Sequence, residues 1–123
     1  MNNLPTNDTG RAGPDEKRVS RRGRTLLTGR IVYGDALYAA DCTIRDITET
    51  GARVKVFDPM AFPNKVLLLE VRNFDAFEAE VKWRRGPEMG LSFTRKFSLD
   101  DISTFRNQQL RRIALEAKQR LGG

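Results

Sequence analysis

The chain has 123 residues, enough for one small domain, with 39% hydrophobic residues to build a single core and 31% charged residues to cover it. No run approaches the roughly 18 apolar residues of a membrane helix, so no membrane partner is expected. There is no histidine and a single cysteine, Cys42, which excludes Ser-His and Cys-His nucleophilic sites, His-containing metal sites and an internal disulfide. The expectation is a binding protein and not an enzyme, with no metal and no cofactor. The N-terminus lacks a basic stretch followed by an apolar one, and a lone thiol suits a reducing compartment, so a cytoplasmic location is expected.

The net charge of +6 is unevenly spread. Residues 1–30 hold seven basic and three acidic residues, residues 31–101 ten and twelve, and residues 102–123 five and one. Lys17, Arg18, Arg21, Arg22, Arg24 and Arg30 follow one another with no acid between them, a cluster suited to an anion or to solvent.

Residues 1–16, rich in Asn, Thr, Gly and Pro, cannot bury enough apolar surface to offset the entropy of ordering and are expected to be a disordered tail. From Thr25 onward, short runs separated by turn residues predict six antiparallel strands: Thr25–Tyr33, Ala39–Ile47, Ala52–Phe57, Val66–Val71, Ala76–Arg84 and Met89–Thr94. Ala52, Val54 and Val56 alternate with Arg53 and Lys55, the period of a half-buried strand. Val66 to Val71 is continuously apolar and predicts a strand covered on both faces. By simple alternation Trp83 shares a face with Phe77, Ala79 and Val81, which favours a core position for the indole.

After the strands the period changes to that of a helix. Ser98 reads as an N-cap, and Leu99, Ile102, Phe105, Leu110, Ile113, Ala117 and Leu121 form an apolar stripe. The predicted organisation is a tail over 1–16, a barrel with its arginine arm over 17–98, and an amphipathic helix over 99–123, placed against an open end of the barrel. The fold class is all-β with a C-terminal helix, a six-stranded antiparallel barrel.

Two short motifs carry the chemistry. Arg18 and Arg22 form an R-x-x-x-R pattern just before the first strand, and Asp46, Thr48 and Gly51 form a D-x-T-x-x-G turn between the second and third. Taken alone, that turn reads as an ordinary β-turn in which Asp46 caps, Thr48 bonds to the backbone and Gly51 takes a positive φ.

In this order, with strands between them, the motifs resemble the PilZ family, whose signature is R-x-x-x-R followed by D/N-x-S-x-x-G. The likeness extends to the DCTIRDITETGAR segment from Asp41 to Arg53, and to Val81–Arg84 (VKWR) with Met89–Phe93 (MGLSF). It spans about Lys17 to Phe93. Thr48 stands where the family has serine, keeping the hydroxyl and adding a methyl group.

The resemblance implies a PilZ-type barrel that binds the bacterial second messenger cyclic di-GMP on its outside, through Arg18, Arg22, Asp46, Thr48 and Gly51. Arginine suits this ligand because its planar fork pairs with phosphate and with guanine O6/N7, and stacks on a purine. The resemblance gives Asp46 the guanine N1–H/N2–H edge, with Lys17, Arg21 and Trp83 as further contacts. A cation at Lys17, just before the arginine motif, fits a stacked pair of ligand molecules. The expected output is an adaptor whose ordered arm is recognised by a bacterial effector protein controlling motility, exopolysaccharide synthesis or related signalling. The alternative is a PilZ-like interaction module that has lost the nucleotide. Nucleic acid is disfavoured as a partner, because most of the ten aromatic residues fall on core positions.

Overall fold

The computed structural model describes residues 27–35, 37–57 and 61–120. The predicted tail and the stretch holding Lys17, Arg18, Arg21 and Arg22 lie outside the described residues.

Six strands form a closed antiparallel barrel among the described residues: β1 (Leu27–Tyr33), β2 (Tyr38–Ile47), β3 (Gly51–Val56), β4 (Lys65–Glu70), β5 (Asp75–Arg85) and β6 (Glu88–Ser98). Their order around the barrel is β1-β2-β3-β6-β5-β4, with β4 returning to β1. Every sequential connection joins neighbours except the one from β3 to β4. Phe62 in that connection packs on the interior, edge-on to Tyr33 at 5.2 Å between ring centroids.

The alternation read from the sequence sets what the barrel encloses. Ile31, Ile44, Val54 and Leu68 are fully buried in one cluster with Cys42, Val56, Val66, Phe77, Met89 and Leu91. Each such side chain is worth roughly 1.5–3 kcal/mol on burial, so this interior is the main source of stability. Burial, aided by the charge of the adjacent Asp41, pushes the Cys42 thiol up to about 12, leaving it an inert hydrophobe.

The helix α1 (Phe105–Arg120) departs from the sequence expectation in two respects. It starts six residues later than the Ser98 cap predicts. Ser98 ends β6, and its hydroxyl accepts from the Asp100 amide in a turn, while Thr104 caps the helix by accepting from the Asn107 amide at 3.0 Å. Ile102 and Phe105, members of the predicted stripe, are therefore 53% and 73% exposed. The helix also lies on the outer wall and not over an open end. Leu110 and Ala114 pack with Leu99 onto Val32, Leu67, Leu69 and Ala76, outward residues of β1, β4 and β5. This explains why β4 is apolar on both faces: one faces the interior and the other α1.

At the far end of α1, Arg120 makes two 3.1 Å hydrogen bonds to the Asp41 carboxylate on β2, and Arg30 Nε lies 3.0 Å from the same group. Arg120, with Arg30 assisting, holds the Asp41 carboxyl below its ordinary range despite partial burial. No helix among the described residues is long and apolar enough to cross a membrane.

Candidate ligand-binding site

Two β-bulges build the site. Ile44 pairs with Val54 and Asp46 with Arg53, so Arg45 is an extra residue on β2. Strict alternation would point Asp46 inward with Cys42 and Ile44. The bulge turns it outward, half exposed, and lets Ile47 pack on the interior instead.

On β5 the pairs Val81–Leu91 and Trp83–Gly90 leave Lys82 as the extra residue. Trp83 is thereby moved from the expected core face to the outer wall, where it is 43% exposed. The core expectation for Trp83 is corrected here, because it assumed an unbroken period of two. A Cβ at Gly90 would run into the indole, so the ring lies across the bare backbone of that glycine. The registers join Asp46, Arg53, Gly90 and Trp83 into one outward row across β2, β3, β6 and β5.

Around this row is an open depression of about 360 Å³, lined by Asp46, Thr48, Gly51, Arg53, Lys82 and Trp83, among others. Arg53 donates from Nε to Asp46 Oδ2 at 2.8 Å, and its Nη2 is 2.6 Å from the same oxygen. Its Nη1 is 3.7 Å from Glu88 Oε1, and Lys82 pairs with Glu80 at 3.2 Å. The depression thus combines a carboxylate, a guanidinium fork and a flat aromatic face, which are partners for the edge and the face of a purine. Among the described residues, no group of three or more Cys, Asp or Glu side chains could hold a metal ion.

The turn that follows Asp46 is held from within. The Thr48 hydroxyl accepts from the amides of Thr50 and Gly51, each at 3.2 Å, and lies 3.3 Å from the Gly51 carbonyl oxygen, to which it donates. The Thr48 amide donates to that same carbonyl at 2.9 Å. Thr48 therefore bonds to the backbone as the plain turn chemistry anticipates, but Asp46 does not cap the turn: its carboxylate goes to Arg53. Gly51 does not take a positive φ either; among glycines of the described residues only Gly34 and Gly86 do. A glycine is needed at 51 because a Cβ there would collide with the Leu91 carbonyl oxygen on β6.

Of the residues singled out in the sequence, Asp46, Thr48, Gly51 and Trp83 come together in one depression. Lys17, Arg18, Arg21 and Arg22 lie outside the described residues. Sequence reasoning missed Arg53 and Lys82 as site residues. The outward position of Arg53 is readable from its alternation with Val54 and Val56, but its pairing with Asp46 is not, because it depends on the bulge at Arg45. Lys82 sits in a bulge, which nothing in the residue pattern marks.

The first described residue of β1 lies near this depression. Leu27, the first residue of β1, pairs with Ile44, two residues before Asp46 on the neighbouring strand. Arg22 is five residues and Arg18 nine residues upstream of Leu27.

No protein-family model and no curated protein was found to match this chain.

Proposed function

We propose that this chain is a cyclic di-GMP receptor of PilZ type, a binding protein with no catalytic role that acts as an adaptor on an effector protein. The observation that carries the reading is the outward row Asp46, Arg53, Gly90, Trp83, set at the end of the barrel where the Arg18/Arg22 leader joins β1.

Asp46 accepts the N1–H and N2–H donors of one guanine, and the Trp83 indole over Gly90 offers a face for a purine. Thr48 and Gly51 act through the turn: the hydroxyl shapes the backbone, and the glycine lets β3 start close against β6. Arg18 and Arg22 supply phosphate-pairing forks from the arm. Clamping the ligand between arm and wall changes the surface that an effector meets.

The test is calorimetric titration of the full chain with cyclic di-GMP, with GTP and cyclic di-AMP as controls. Asp46→Ala and Arg22→Ala are each expected to abolish binding while leaving the melting transition in place. Asp46 is half exposed on the outer wall, so its loss removes no core contact. Wild-type affinity in either variant contradicts the assignment.

One observation favours a second reading, a PilZ-like module without nucleotide. The Asp46 carboxylate is already paired with Arg53, and the Thr48 hydroxyl is fully used by its own turn. Absence of any thermal shift with micromolar cyclic di-GMP supports that reading over the first.

A further inference from the structure

Arg53 stands between the acidic turn and the indole, and its fork is only partly used. Nε and Nη2 both fall on Asp46 Oδ2, whereas Nη1 is 3.7 Å from Glu88, beyond hydrogen-bonding distance. Among the described residues, Asp46 Oδ1 accepts no hydrogen bond. Each partner therefore keeps an unused position, an acceptor on the carboxylate and a donor on the guanidinium. The guanine edge carries the complementary order: two donors, N2–H and N1–H, next to the O6 acceptor. Adenine carries an acceptor at N1 and a donor at N6, the reverse order, and meets the same pair only when turned over, with its sugar on the opposite side.

We infer that Arg53 is a specificity-determining residue that donates to guanine O6 while Asp46 accepts from N1–H and N2–H. This rests on the reading of the chain as a cyclic di-GMP receptor. The division of labour is then physical. The barrel wall chooses the base, because Asp46 and Arg53 are fixed by strand pairing across β2 and β3, and the arm supplies phosphate contacts, which are blind to the base. Docking the guanine leaves the two short contacts to Asp46 Oδ2 intact. Only the long contact to Glu88 is given up. The opposing possibility is that Arg53 locks Asp46 and competes with the ligand, and it carries the opposite sign: removing Arg53 would then strengthen binding.

The experiment is titration of full-length wild type, Arg53→Ala and Arg53→Lys with cyclic di-GMP and with cyclic di-AMP. Circular dichroism and melting check that the barrel is intact. Arg53→Ala is expected to weaken cyclic di-GMP binding roughly tenfold or more and to shrink its preference over cyclic di-AMP by a similar factor. Arg53→Lys keeps the charge without the planar fork, and it should restore salt-sensitive affinity without restoring the preference. Equal or tighter cyclic di-GMP binding by Arg53→Ala, with the preference unchanged, overturns the inference and leaves the receptor reading standing. Failure of the wild-type chain to bind cyclic di-GMP removes both.

Discussion

On the outer wall formed by β1, β4 and β5, the outward positions Val32, Leu67, Leu69 and Ala76 are apolar, and α1 covers them. On the wall formed by β2, β3 and the β5–β6 hairpin, the outward positions include Asp46, Arg53, Lys82 and Ser92, and they line an open depression. The strands are the same kind of object in both places. What differs is whether the outward residues gain more from a covering helix or from water. The first wall is regular, and its chemistry is packing. The second is interrupted by bulges at Arg45 and Lys82, and it leaves charged and aromatic groups open to solvent.

The comparison can be broken from the packed side. Leu110 is fully buried beneath α1, so Leu110→Ala should cost about 2–5 kcal/mol by urea or thermal unfolding. Because that wall is separate from the depression, cyclic di-GMP affinity of the folded fraction should stay within about twofold of wild type, by the additivity of distant sites. A large loss of affinity would show that the two walls are coupled.

Gly90→Ala tests the open side with a smaller perturbation. The added Cβ would overlap the Trp83 indole, which must move, so stability should fall by about 1–3 kcal/mol. Displacing the indole should also weaken cyclic di-GMP binding several-fold, because the stacking face is lost. Unchanged affinity would remove Trp83 from the site.

The smallest effect is expected where the two walls meet, at the Asp41–Arg120 contact. Arg120 and Arg30 lower the Asp41 carboxyl below its unfolded value, so the folded state binds its proton at lower pH than the unfolded chain does. The contribution is complete above the unfolded value of about 4 and is lost as pH falls through the folded one. Wild type should therefore exceed Asp41→Asn in melting temperature by a constant small margin across neutral pH, and the two should converge in acid. Because the pair is about half exposed, the margin should also shrink with salt.

Much of this architecture was legible in the residues. The alternation in Ala52 to Val56 and the apolar run from Val66 gave the strands and their faces, because side-chain period and burial are directly coupled. The helix start was misplaced because Ser98 has cap chemistry in its own right and uses it in a turn, while Thr104 does the capping. The site was half legible. The polar turn announced itself through Asp46, Thr48 and Gly51, but the bulges did not. A bulge changes which face every later residue occupies without leaving a compositional mark, and this is why Trp83 was assigned to the core and Arg53 was not tied to Asp46.

Trp83 is the only tryptophan of the chain and lies in the depression itself, so its emission reports directly on the proposed seat of the ligand. Titrating the full-length protein with cyclic di-GMP should give a saturable change in tryptophan emission that GTP and cyclic di-AMP do not reproduce, and that Asp46→Ala abolishes. An emission spectrum that stays constant while calorimetry records cyclic di-GMP binding would contradict a site on this wall, and a change that persists in Asp46→Ala would remove Asp46 from it.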